Sequence, residues 1–226
     1  MKAFGKELKL LILDIEGVLL DLMVNFEKNL PNAAKKFGLS PIPAIEYIND
    51  LKSGTKRECT NFDNCLKMLY PNLDEFNRTK LKKTFIEIED ENPYPAIIGS
   101  RAIVQFFSRK IPVALCTTNR KDIIIPRVVR VGFNMRWFSY ISSWETGHPK
   151  PDPRALTIIT DFLNIPKENS LFVGDWYPDL ECAQRAEFPF VAVLSGVNPE
   201  HAFLREGVQK DHIIDCLFNI TEIIKP

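Results

Sequence analysis

Leu8-Lys9-Leu10-Leu11-Ile12-Leu13-Asp14-Ile15-Glu16-Gly17-Val18-Leu19-Leu20-Asp21-Leu22 decides how the rest of the chain is read. A short apolar run ends abruptly in two carboxylates and a glycine. Periodicity alone does not separate a run of this length from a helix, but its shortness and the Gly17 stop favour a buried strand. Such a strand delivers Asp14 and Glu16 to a turn. In an open α/β sheet, ligands sit outside the carboxyl ends of the strands, so acids emerging there are placed for chemistry.

Beyond Leu22 the texture becomes charged and amphipathic. Val24 to Phe37, Pro43 to Leu51, Cys59 to Leu69 and Leu73 to Glu89 each carry apolar residues at helical spacing, which predicts a helical block without a strand. Glu91-Asn92-Pro93-Tyr94-Pro95 follows, and its two prolines force a stiff, extended connection that reads as a hinge. The pattern then alternates. Helices are expected at Ser100 to Arg109, Asp122 to Val131, Pro153 to Leu163 and Pro178 to Ala186, and strands at Pro112 to Cys116, Tyr140 to Ser143, Leu171 to Val173 and Phe190 to Leu194. Strands alternating with helices of this length predict a parallel sheet with helices on both faces. A last helix is expected from Leu217 to Ile224, packed on an edge.

The 226 residues suit one α/β domain, or a core that carries a smaller insertion. Basic and acidic side chains balance at 29 each, so the summed field gives no reason to expect a nucleic-acid or membrane partner. Small or locally matched ligands are expected instead. No apolar run approaches the roughly eighteen residues of a membrane span, and Met1 to Leu20 lacks a cleavage-site pattern. The expectation is a soluble cytoplasmic protein, a monomer or homodimer. Its five cysteines are irregularly spaced, and Cys59 and Cys65 lack a partner pair at zinc-site distance. Reduced, mostly buried thiols are the plain reading.

Each apolar run of the alternating region stops in a polar residue: Asp14 and Glu16, then Thr117-Thr118-Asn119, then Ser142-Ser143, then Gly174-Asp175. Parallel strands bring all of these to one sheet edge, where one site would collect them. Asp14 reads as a nucleophile, a metal ligand or both, or as a plain turn aspartate. Glu16 lies on the same side as Asp14 if the chain stays extended. Either a cation then sits between the two acids or one keeps its proton and serves as a general acid. Asp175 and Asp14 offer the one or two carboxylates that Mg²⁺ accepts. Asp179 sits in a first helical turn with Pro178, and so also suits the helix dipole. Lys150, framed by Pro149 and Pro151, is a rigidly presented ammonium for a phosphate or for the nucleophile. Thr118 and Asn119 supply donors for phosphate oxygens, or a helix cap. The three histidines show no ligand spacing.

In this order, the four places resemble the motifs of the haloacid dehalogenase superfamily. Asp14 to Gly17 is similar to its first motif, Thr118-Asn119 to its second, Lys150 with Pro151 to its third, and Gly174-Asp175 to Asp179 to its fourth. The resemblance implies a Rossmann-like three-layer α/β/α core with a parallel sheet of order 5-4-1-2-3 and an inserted helical C1 cap. The core would be 1–22 with 93–226, and the cap 23–92. It also implies a Mg²⁺-dependent phosphatase, similar to phosphoglycolate phosphatases, that hydrolyses a small phosphorylated metabolite through an aspartyl-phosphate. Asp14 would attack phosphorus, Glu16 would protonate the leaving oxygen, and Thr118, Asn119 and Lys150 would hold the phosphoryl group. Mg²⁺ would lie on Asp14, Asp175 and the main-chain carbonyl of Glu16, with Asp179 in support.

Glu16 stands where most phosphatases of the superfamily have aspartate, and Asp-Ile-Glu-Gly resembles the first motif of enolase-phosphatases. The longer side chain leaves a second expectation, a catalytically weak or inactive relative that binds a phosphorylated ligand or a protein partner. Phosphomutase chemistry is compatible with the same motifs. Arg57, Phe62, Lys67, Tyr70 and Arg78 are the candidate substrate contacts from the helical block.

Overall fold

The computed structural model describes residues 1–55 and 62–225 of the chain. A hairpin of β1 (Lys2–Ala3) and β2 (Lys6–Glu7) precedes β3 (Leu10–Leu13), the strand expected from the opening run. Four helices follow: α1 (Met23–Lys36), α2 (Ile42–Lys52), α3 (Phe62–Leu69) and α4 (Glu75–Glu91). The alternating region comprises α5 (Ser100–Ser108), β4 (Val113–Cys116), α6 (Lys121–Arg130), β5 (Tyr140–Ser142), α7 (Arg154–Leu163), β6 (Ser170–Gly174), α8 (Tyr177–Ala186) and β7 (Phe190–Val193). After these come α9 (Glu200–Arg205), β8 (Ile213–Ile214) and β9 (Ile224–Lys225).

Six strands form one sheet in the order β5-β4-β3-β6-β7-β8, and every pairing is parallel. From β7 to β5 this is the expected 5-4-1-2-3 sheet, and β8 extends it by one strand. All four residues of β3 are fully buried, because a central parallel strand is covered on both faces and reads as a continuous apolar run. Alternate side chains part to opposite sides. Leu11, Leu13, Leu115 and Val173 join one core cluster, while Leu10, Ile12, Ala114 and Phe172 pack with Leu156, Ile159 and Ala183 of α7 and α8. The result is three layers.

Helices α1 to α4 pack on one another, α1 against α2 and α4, and α3 against α2 and α4. Their shared interior is aromatic: the Phe85 ring meets Phe26 edge-on at 5.9 Å and Phe62 at 4.5 Å. Asp74 caps α4 by accepting the Asn77 N–H at 2.8 Å. The two connections to the sheet run side by side, with Asp21 N–H donating to Pro95 O and Ile97 N–H to Leu19 O, both at 2.9 Å. Among the described residues, no helix is long and apolar enough to cross a membrane.

The expected helix at Leu217 to Ile224 is corrected. Leu217–Glu222 is a 3-10 helix and Ile224–Lys225 is β9, which pairs antiparallel with β1. Leu217 and Ile220 are both buried, and a spacing of three places them on one side of a three-residue turn. Strands of two residues carry no periodicity, so β1, β2, β8 and β9 have no sequence signal. Cys65, Cys116 and Cys182 are buried thiols, and Cys216 is half-buried; Cys59 lies outside the described residues. Phe203 is core.

Candidate active site

The register of the sheet assembles the site. Leu13 lies opposite Leu115 of β4 and Val173 of β6, so Asp14, the Thr117 to Asn119 segment and Asp175 leave the sheet together. Lys150 arrives from the loop after β5 and Asp179 from the first turn of α8. Lys150 Nζ lies 2.7 Å from Asp14 Oδ1 and 2.5 Å from Asp179 Oδ1. Asp179 Oδ2 accepts the N–H groups of Asp175 (3.2 Å) and Trp176 (3.1 Å), closing the open N-terminus of α8. Asp175 Oδ2 accepts the Val197 N–H at 2.7 Å.

Two glycines make room for Asp175. Gly17 has φ +80°, and a Cβ there would lie 2.3 Å from Asp175 Cγ; a Cβ on Gly196 would lie 1.9 Å from Asp175 Oδ2. Only backbone fits on either side of this carboxylate. Ser195 Oγ donates to Gly17 O at 2.7 Å and ties the two loops together.

All four charged groups are buried, Lys150 at 3% exposure and Asp175 at 2%. Burial, partly offset by Lys150, pushes Asp14 up to about 8. Burial and the neighbouring Asp179 and Asp14 raise Asp175 well above the carboxylate range. Burial opposes the Lys150 charge too, but Asp14 and Asp179 outweigh it and hold the ammonium protonated. Three acids therefore face one lysine.

A cation relieves that excess, and the donor set fits a hard one. Asp14, Asp175 and Asp179 each offer an oxygen within 4.8 Å of the others. Both oxygens of Asp179 are taken by Lys150 and the α8 N–H groups. Among the described residues, nothing donates a hydrogen bond to Asp14 Oδ2 or Asp175 Oδ1, which leaves the two carboxylates that Mg²⁺ accepts.

Glu16 has two partners that the sequence reading did not name. Its Oε1 accepts Asn119 Nδ2 at 2.8 Å and Arg127 Nη1 at 2.9 Å, so a guanidinium stands beside this carboxyl group. Arg127 Nη2 also donates to Glu89 Oε2 of α4, and its guanidinium carbon lies 5.4 Å from the Tyr94 ring centroid. Sequence reasoning missed Arg127 and Glu89. Neither sits at a strand end or in a motif, and only the fold brings positions 16, 89 and 127 together. Asn119 lines the cavity; its side-chain amide donates to Glu16 and its N–H donates to Thr117 Oγ1 at 3.1 Å.

The site opens into a cavity of about 140 Å³ that Asp14, Glu16, Thr118, Asn119, Lys150 and Asp175 line at its floor. Ser142 and Ser143 are buried away from it, with Ser143 Oγ donating to Glu145. The expectation that the β5 end joins the site is therefore corrected. Of the candidate contacts from the helical block, Phe62 lines the cavity and Arg57 lies outside the described residues. Tyr70 donates to Ser40 O and Arg78 to Leu73 O, while Lys67 points to solvent. These three have structural or surface places.

The family model described as haloacid dehalogenase-like hydrolase matches residues 11–193. A phosphoglycolate phosphatase of Mesorhizobium japonicum is 24% identical over 199 residues, covering 85% of each chain. A predicted phosphoglycolate phosphatase from Haemophilus somnus superposes with a TM-score of 0.78 at 17% identity, over 96% of this chain and 98% of that one. A hydrolase from Pseudomonas syringae superposes with a TM-score of 0.75 at 15% identity, over 95% of this chain and 96% of that one. Since the matched span covers well over half of the chain and contains Asp14, Thr118, Lys150, Asp175 and Asp179, the chain belongs to the haloacid dehalogenase-like hydrolase family.

Proposed function

We propose that the chain is a Mg²⁺-dependent phosphatase that hydrolyses a small phosphate monoester through an aspartyl-phosphate on Asp14. The carrying observation is the buried cluster in which Lys150 bridges Asp14 and Asp179 while Asp14 Oδ2 and Asp175 Oδ1 have no donor among the described residues. Asp14 attacks phosphorus as the bond to the leaving oxygen breaks. Lys150 and the Thr118 hydroxyl hold the non-bridging oxygens. Asp14 and Asp175, with the Glu16 carbonyl, would hold Mg²⁺, which offsets phosphate charge when bound. Asp179 positions Lys150.

Glu16 gives its proton to the leaving oxygen and then takes one from the water that cleaves the acyl-phosphate. Arg127 and Asn119 both occupy Oε1, which leaves Oε2 for proton transfer. The packing of α1 to α4 above the sheet edge supports a division into a core of 1–22 with 93–226 and a cap of 23–92. Phosphate release from a panel of monoesters, with Mg²⁺ and with chelator, compared with Asp14→Asn, tests the proposal. Equal release by wild type and variant ends it.

The Arg127 and Asn119 contacts to Glu16 favour one second reading, a catalytically idle phosphate binder. That reading expects fluoride complexes of phosphate shape to raise the melting temperature with Mg²⁺ while no ester turns over.

A further inference from the structure

A glutamate carries one more side-chain torsion than an aspartate, and that freedom has to be frozen before its carboxyl can pass a proton to a fixed oxygen. Glu16 is frozen from one side. Asn119 Nδ2 and Arg127 Nη1 both donate to Oε1, at 2.8 and 2.9 Å, so the two donors together define where Oε2 can lie. Arg127 is itself firmly mounted. Ile124 and Val128, its neighbours in α6, are fully buried, and the guanidinium stands where α6 meets the helical wall of the cavity, beside Phe85 and Ile86. Its Nη2 donates to Glu89 of α4, and the Tyr94 ring centroid lies 5.4 Å from its guanidinium carbon.

Side-chain exposure falls from 19% at Arg127 to 12% at Glu16 and 6% at Glu89, so water and salt screen these contacts little. A planar fork with one donor on each acid holds direction as well as distance, which a lysine ammonium does not. The geometry points to Arg127 as the positioning residue for Glu16: it acts on the reaction by aiming the carboxyl that protonates the leaving oxygen, and Glu89 and Tyr94 hold it in turn. The inference rests on the phosphatase reading given above. It explains how the longer acid at position 16 serves a step that needs a fixed donor.

Acetyl phosphate and ethyl phosphate, two esters of nearly equal size, test it. Acetate leaves as a stable anion, whereas ethoxide has to be protonated as its bond to phosphorus breaks. With Mg²⁺ present, Arg127→Met should lower kcat/KM about a hundredfold for ethyl phosphate and no more than about threefold for acetyl phosphate, since only the first depends on an acid placed to within an ångström. In a Glu16→Gln background the same substitution should change either value less than about twofold, because the group it aims is gone. Should Arg127→Met fail to fold, its pairing with Glu89→Gln, which neutralises the acid left alone, carries the same comparison. Equal losses on the two esters, no loss on ethyl phosphate, or a loss undiminished in Glu16→Gln would overturn the inference and leave the phosphatase reading standing. So would a wild type that hydrolyses acetyl phosphate and not ethyl phosphate. A wild type that hydrolyses neither would overturn the phosphatase reading and this inference with it.

Discussion

The two ends of the cavity hold the same kinds of group and use them in opposite ways. At the sheet edge, Lys150 pairs with Asp14 and Asp179 beside Asp175, and two carboxylate oxygens have no donor among the described residues. At the helical wall, Arg127 and Lys82 are taken up by Glu16, Glu89 and Asp63. Buried charge left over at the first end creates a demand that only a ligand meets. Charge spent internally at the second end builds a wall. A cluster of acids and bases therefore says little about binding until each oxygen and each N–H has been assigned.

The sharpest way to break the contrast is Asp14→Asn. Turnover should fall by about 10⁴-fold or more, as for other enzymes that lose a nucleophile, while the melting temperature of the metal-free protein holds or rises because a buried carboxyl that resists ionisation is gone. Measured phosphate release and thermal melts separate these effects. The same carboxyl gives a pH test. Its folded value of about 8 lies above the ordinary 3.8, so its contribution to the metal-free fold is complete below about pH 4 and is lost as pH rises toward 8. Mg²⁺ takes the ionised form, so the melting-temperature gain on adding Mg²⁺ should be larger at pH 8 than at pH 6. In Asp14→Asn that difference should shrink.

Gly196→Ala comes next. A methyl 1.9 Å from Asp175 Oδ2 forces the carboxylate aside, and an ångström of displacement at a reacting centre costs about a hundredfold. The loss should appear in kcat and in Mg²⁺ affinity together. Arg127→Ala tests the other end. It leaves Glu16 and Glu89 without their shared cation, and Glu89 is already buried with Oε1 unpartnered. Urea unfolding should read a loss of roughly 3 kcal/mol, partly restored by Arg127→Lys. Lys82→Ala should have the smallest effect, under about 1 kcal/mol, since Asp63 is exposed. A large loss there would mean the wall depends on that pair more than its solvent contact allows.

The sheet edge was legible because strand ends announce themselves. Leu10 to Leu13 and Ser170 to Gly174 are apolar runs that stop in Asp14 and Asp175, and parallel pairing fixes where their ends go. Lys150 was legible through its prolines. The clasp on Glu16 was not, because Arg127 lies within the regular turns of α6 and Glu89 near the end of α4, where an exposed charge is the ordinary reading of each. Their meeting depends on how α4 lies across α6. The 3-10 ending at Leu217–Glu222 and the two-residue strands escaped for a plainer reason: each is too short to show a period, and β8 and β9 pair with strands far away in sequence.

One such pairing has a practical outcome. Lys2 sits in register with both Glu7 and Lys225, so the first and last described strands are neighbours, about 5 Å apart. A short glycine-serine bridge would span that gap, and the chain could then be reopened at a surface loop such as Gly207 without redrawing the sheet. A circular permutant made this way would present its new ends in an exposed loop.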